Sequence, residues 1–236
     1  MAYLCEAQSP EAVVQLIAAS YLRHGFYWYV TGSIPAGKTP AAIDRKLIAK
    51  YGIDVSEWER RHRKQRGIAN AHYLRYQQWF ILMVSEGHHP LKQPAAKGGE
   101  GEHLRDCRRT PIRFHGYSIS YRRAGVTAAG GSTPKFHAHV RIDDATYRSL
   151  RDRFVDLATH QTAETLANEF GRIPFARYAP VRRQLLNILR AVNDRRKQQS
   201  FQLLPHSILK LKRTPVPVYV RPEPEVQQDA TLAEAA

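Results

Sequence analysis

The chain has 236 residues, of which 43% are hydrophobic and 24% are charged, a composition typical of a folded protein with a substantial core. Its 36 lysines and arginines outnumber 21 acids, which gives a formal net charge of +15. No apolar run is long enough for a membrane helix, two cysteines are too few for a disulfide framework, and the first residues lack the basic start of a signal peptide. We therefore expect a cytoplasmic protein with no membrane partner.

Residues 1–87 are predicted to form an N-terminal part that mixes helices and strands. Capping residues such as Ser9 and Thr39, each followed by a proline, are typical of helix starts. Aromatic and β-branched runs such as "GFYWYVTG" are typical of strands. The patterns predict helices over residues 9–23, 39–52 and 56–67, and strands over residues 25–32 and 70–87.

The remainder of the chain is predicted to contain a hairpin followed by helices. Residues 88–111 are rich in glycine, proline and charge and predict a flexible loop. In residues 112–221, the strands "FHGYSISYRR" and "KFHAHVRID" flank a glycine-rich connector and form a hairpin with a long tip. Helices are predicted over residues 143–160, 162–171 and 179–199, and an acidic, disordered tail over residues 222–236.

Paired strands with helices before, between and after them indicate an α+β fold. We expect an antiparallel, hairpin-containing sheet packed with several amphipathic helices. Residues 1–87 and 112–221 are expected to belong to one compact domain.

Charge is the strongest indicator of function. All 36 basic residues lie in residues 1–221 together with 17 of the 21 acids, so this part of the chain carries +19. A body this basic repels itself unless an anionic partner neutralises it, and phosphate backbones are the usual partner. We therefore expect the chain to bind DNA or RNA, alone or within a larger nucleoprotein complex.

The candidate nucleic-acid contacts fall into basic clusters with aromatic residues between them. Arginine forks suit phosphates and guanine edges, and aromatic rings suit unpaired bases. The alternation of residues 135–141 also places two histidines among the cations of one strand face. The predicted contacts are Arg60, Arg61, Arg63, Lys64, Arg66, Arg75, Arg122, Arg123, Lys135, His137, His139, Arg141, Arg182 and Arg183.

The string "GSIPAGKT" at residues 32–39 matches the phosphate-binding loop pattern G-x-x-x-x-G-K-[ST] and lies between a predicted strand and a predicted helix. A nucleotide-binding protein that uses Lys38 and Thr39 is therefore one alternative. Pro35 and Pro40 lack the backbone N–H groups with which such a loop holds phosphates. An ordinary turn into a capped helix is the favoured interpretation.

"FHAHVRI" at residues 136–142 places two histidines two residues apart, and it resembles the histidine–hydrophobic–histidine strand of the HUH endonucleases. These enzymes cut single-stranded DNA with a tyrosine nucleophile. The resemblance implies that His137 and His139 hold a divalent metal and that Tyr147 or Tyr178 is the nucleophile. A metal-dependent single-strand endonuclease is thus the second alternative.

The main prediction is a non-catalytic, basic nucleic-acid-binding protein of bacterial or mobile-element type, without a cofactor or a bound metal. On this interpretation, His137 and His139 belong to a polar, partly cationic face that contacts phosphate. If the chain is an enzyme, a metal-dependent nuclease is the expected class.

Overall fold

A computed structural model describes residues 3–93, 104–123, 136–209 and 212–220. Within these ranges helices combine with two antiparallel sheets, and the predicted α+β class is confirmed. The helices are α1 (Pro10–Leu16), α2 (Pro40–Lys50), α3 (Glu57–Gln65), α4 (Asp144–His160), α5 (Ala163–Gly171) and α6 (Ala179–Gln198). The strands are β1 (Phe26–Ser33), β2 (Ala71–Tyr76), β3 (Trp79–Ser85), β4 (Arg105–Asp106), β5 (Ile112–Phe114), β6 (Tyr117–Arg123) and β7 (Phe136–Ile142).

The first sheet has four strands in the order β2-β3-β1-β4, and all neighbours are antiparallel. Strand β3 is one of the two central strands and contains the apolar run at residues 79–85. Both faces of this strand are covered by other parts of the chain. Ile81 and Met83 join one core with α1, whereas Leu82 and Val84 join a second core that includes Leu47 of α2. The apolar run is thus explained by burial on two sides.

The second sheet has three strands in the order β5-β6-β7. The predicted hairpin is confirmed, with β6 and β7 paired from Tyr117↔Ile142 to Arg123↔Phe136. The string predicted as one strand, "FHGYSISYRR", is divided in the structure. His115 and Gly116 have positive φ angles of 44° and 75°, and they form a tight turn between β5 and β6.

Helices α4, α5 and α6 enclose a further core around Phe154, Phe170 and Leu185. Helix α6 also packs along β7, which is the edge strand of its sheet. The side chain of Gln184 makes two hydrogen bonds to the backbone of Ile142 on that edge. It accepts from the Ile142 N–H at 2.8 Å and donates to the Ile142 carbonyl at 2.9 Å. This contact fixes α6 beside the polar face of the hairpin.

Both ends of the segment predicted as a loop, residues 88–111, belong to the fold. Pro90–Lys92 forms a short 3₁₀ helix, and β4 pairs with β1. Cys107 next to β4 is fully buried. The remainder of this segment, the tip of the β6–β7 hairpin with Lys135, and the predicted tail at residues 222–236 lie outside the described residues.

Within the described parts of the chain, no helix is both long enough and apolar enough to cross a membrane.

Candidate nucleic-acid interface

The polar face of the β6–β7 hairpin forms the floor of the candidate site. Cross-strand pairing places Ser120 opposite His139 and Arg122 opposite His137. The opposite face carries Ile119 and Val140 into the core, so the alternation predicted for this hairpin is the one that the structure has. Ser120 is buried, and its hydroxyl accepts a hydrogen bond from the Arg122 side chain at 3.0 Å.

The first turns of α6 form the wall of a groove of about 850 Å³ beside this floor. Helix α6 begins after Tyr178, with Pro180 in its first turn, and Arg183 faces the hairpin. The groove is lined by Arg122, Arg123, His137, Ala138, His139, Arg141, Tyr178, Ala179, Pro180, Arg183 and Gln184. Six residues predicted from the sequence thus lie in one groove.

Two adjoining concavities, each of about 470 Å³, extend the cationic surface. One follows α6 past Arg182 and Arg190. The other contains Arg177, Lys212 and Arg213, which the sequence patterns did not indicate as contacts. The run "KLKR" at residues 210–213 was visible in the sequence, but only the chain path brings its last two residues beside α6. We call the three concavities together the α6 groove.

The α6 groove is strongly electropositive. Its lining residues, all within the described ranges, include eight arginines and one lysine but no aspartate or glutamate. Asp144 pairs with Arg141 from outside the lining and compensates part of this charge. Closely spaced cations in a concave surface raise the local concentration of anionic ligands.

His139 is a titratable group in the α6 groove whose surroundings oppose its protonation. Burial, followed by the charges of Arg122 and His137, lowers the pKa of His139 below its ordinary value. Its buried Nδ1 has no hydrogen-bonding partner among the described residues. Because its pKa lies below the ordinary value, the imidazole of His139 is mostly neutral at pH 7.

The residues implied by the HUH resemblance are partly brought together. The rings of His137 and His139 have centroids 6.3 Å apart, and Tyr178 lines the same groove. Tyr147 instead packs against the core of α4, α5 and α6. Among the described residues, no group of three histidines, cysteines or acids could hold a metal ion.

The cluster at residues 60–66 is divided between the interior and the surface. Arg60 donates to the carbonyls of Ile53 and Val55, and Arg63 donates to the carbonyl of Gly52, so both arginines hold α3 to the body. The other members, Arg61, Lys64 and Arg66, are exposed. Arg60 and Arg63 are three residues apart and share one side of α3, whereas Arg61 lies on another side of the helix.

Arg75 lies in the core rather than at a nucleic-acid surface. It is only 6% exposed and donates to both carboxylate oxygens of Asp44, at 2.9 and 3.1 Å, and to Glu6 at 2.6 and 3.1 Å. The Asp44 carboxylate also accepts from the Tyr73 hydroxyl. The pairing of Arg75 with Asp44 connects strand β2 to α2. Arg75 is therefore not a candidate contact for nucleic acid.

The glycines of "GSIPAGKT" have structural roles. A Cβ on Gly32 would collide with the ring of Phe80 on the paired strand. Gly37 has a φ of 87° and lies in a turn in which the Lys38 N–H donates to the Pro35 carbonyl. The strand-turn-helix interpretation accounts for all of these features.

No protein-family model matches the chain, and a search of curated proteins found no relative. The function is therefore argued from the α6 groove and from the distribution of charge.

Proposed function

We propose that the protein binds nucleic acid and that the α6 groove holds the phosphate backbone. The single observation that carries this proposal is the set of three concavities that share lining residues and contain nine arginine and lysine side chains without an acid. An acid, Glu11, lines a further concavity that also contains Arg177, Lys212 and Arg213. Surface cations are normally interspersed with acids, whereas this surface collects them from three parts of the chain: the β6–β7 hairpin, residues 177–190 and residues 212–213. A polyanion is the ligand that such a surface fits best.

The chemistry of the groove favours contacts to phosphate over contacts to base edges. Arg122, Arg182 and Arg183 are exposed and present planar forks that suit phosphate oxygens. The dipole of the 20-residue helix α6 places its positive end at the same surface, where Pro180 itself supplies no N–H. Such contacts give affinity that depends strongly on salt and carries little sequence information.

The proposal is tested by reversing charge inside and outside the groove while the net charge stays equal. In R182E/R183E, we expect affinity for a labelled oligonucleotide to fall by about 10- to 100-fold and the salt slope by about 2. The matched control R148E/R151E alters two exposed arginines of α4 that do not line the groove. Fluorescence anisotropy over a salt series measures both quantities. Equal losses in the two variants would contradict a binding role for the groove.

One observation favours a second candidate function, a metal-dependent single-strand endonuclease. Tyr178 lines the same groove as His137 and His139, the neighbourhood that a tyrosine nucleophile and a metal would need. On this hypothesis the wild type cleaves single-stranded DNA with Mg²⁺ or Mn²⁺ and remains attached to one DNA end, and Y178F and H137A do neither. Denaturing gels detect both products. Unchanged cleavage in Y178F, or binding without any cleavage, argues against the enzyme.

A further inference from the structure

Helix α3 carries an aromatic side chain that the fold itself does not use. Trp58 is 70% exposed, the largest exposed fraction among the large hydrophobic side chains of the described residues. Tryptophan side chains are usually at least partly buried, because removing the large indole from water is favourable in free energy. Trp58 thus presents an aromatic surface that a ligand can reach.

The indole is held in place before any partner arrives. The imidazole of His62, one helical turn further along, lies parallel to it with ring centroids 5.2 Å apart and an interplanar angle of 12°. This contact covers one face of the indole and restricts its rotation. The other face remains available to a planar ligand at a low cost in side-chain entropy.

The helix beneath Trp58 is firmly attached. Ser56 caps its N-terminus by accepting from the Glu59 N–H at 3.2 Å. On the inner side, Arg60 donates to the Ile53 carbonyl at 3.0 Å and Arg63 donates to the Gly52 carbonyl at 2.9 Å. Trp58 thus projects from a rigid element, and its position is defined by the fold.

The surroundings of Trp58 are cationic. Arg61, Lys64 and Arg66 are exposed and outnumber the exposed acids of this segment, which are Glu57 in the helix and Asp54 just before it. Glu57 forms only a loose pair with Arg61 at 3.6 Å. A protein-docking patch would normally place further apolar side chains around its central aromatic residue. A single aromatic face with cations around it matches a nucleobase that is linked to phosphates.

We infer that Trp58 stacks on an unpaired base and that Arg61, Lys64 and Arg66 contact the adjacent phosphates, so that the ligand is single-stranded nucleic acid. The inference rests on the proposed function and specifies its ligand. A duplex keeps its bases stacked inside the helix and offers Trp58 no free base face. Selectivity for unpaired strands is therefore the property that this surface adds to the phosphate contacts of the α6 groove.

The test measures the affinity of W58A, W58F and the wild type for three nucleic acids. These are an oligothymidylate of about 20 nucleotides, the matching oligouridylate, and the duplex of the oligothymidylate with oligoadenylate. We expect W58A to weaken single-strand binding by about 5- to 150-fold, W58F to retain most of the affinity, and duplex binding to stay unchanged. F201A removes another exposed aromatic ring and is expected to bind as the wild type does. A second readout is the quenching of tryptophan emission by the single strand, which W58F should largely lose although Trp28 and Trp79 remain.

The outcomes separate the two proposals. If the wild type binds oligonucleotides and W58A binds the single strand equally well, the stacking inference is overturned and the proposed function stands. If W58A weakens single strand and duplex alike, Trp58 does not read unpaired bases and the inference is also overturned. A wild type that binds none of the three nucleic acids overturns both proposals. If the wild type instead binds polyglutamate more tightly than the single strand and loses that binding in W58A, both proposals are also overturned and an acidic protein partner is indicated.

Discussion

His72 is held in its neutral form by its hydrogen bonds as well as by burial. An Arg60 guanidinium nitrogen donates to Nε2 at 3.2 Å, so Nε2 must accept and the proton must reside on Nδ1, which donates to the Tyr3 hydroxyl at 3.2 Å. Burial, followed by the charge of Arg60, lowers the pKa of His72 to about 3. A proton on Nε2 would have to face the guanidinium, and the geometry therefore disfavours the charged ring.

The low pKa of His72 makes the stability of the fold depend on pH. Below about pH 6.5 the unfolded chain binds a proton at this residue and the folded chain does not, so the free energy of unfolding falls as the pH falls towards 3. We expect a loss of about 2 kcal/mol between pH 7 and pH 5 from this histidine alone. Urea unfolding at the two pH values measures it.

The variant H72N is expected to show a weaker pH dependence than the wild type, whatever its absolute stability. The control H160N alters an exposed histidine at the end of α4 and should retain the dependence of the wild type. A pH dependence in H72N equal to that of the wild type would show that other groups cause it.

At the residue scale, arginine content was a poor guide to the position of each arginine. Arg75 and Arg196 are 6% and 3% exposed, and Arg196 donates to the carbonyls of Ala158 and Gln161 near the end of α4. The guanidinium group is long and has five donors, so it can satisfy buried carbonyls as well as phosphates. Sequence alone cannot distinguish these uses, because the carbonyls come from distant parts of the chain.

At the scale of elements, the contact between α6 and β7 assembles the α6 groove. Gln184 supplies both hydrogen bonds that the backbone of Ile142 lacks on the free edge of β7. A side-chain amide is the group that can both donate and accept in this way. The same contact places Arg183 beside His139, and the site therefore depends on one residue that carries no charge.

Replacing Gln184 should loosen this assembly. In Q184A the N–H and carbonyl of Ile142 lose their partner, and we expect the free energy of unfolding to fall by about 2 kcal/mol. The exposed Asn187 on the same helix serves as a control, and N187A should change stability by less than about 0.5 kcal/mol. Urea unfolding compares the two variants. Similar stabilities for Q184A and N187A would contradict a role for Gln184 in fixing α6.

At the scale of the whole molecule, the charge is concentrated where distant segments meet. The α6 groove combines the hairpin around residues 122–141, the start of α6, Lys212 and Arg213 near the C-terminus, and Ala18 from the first helical segment. Helix α3 with Trp58 lies instead beside β2, where Arg60 contacts His72. Among the described residues, the lining of the α6 groove and the exposed side of α3 around Trp58 are thus two cationic surfaces on different elements.

The sequence by itself determined the α+β class, most helix and strand positions, the β6–β7 hairpin and the excess of positive charge. These properties depend on local periodicity, capping residues and composition, and each can be recognised within a short window of the chain. It also indicated, through Pro35 and Pro40, that "GSIPAGKT" is a turn into a helix. Only the tertiary structure decided which arginines point inward and that residues 177, 212 and 213 join the α6 groove. Those outcomes depend on contacts between residues far apart in the chain, and no local pattern records them.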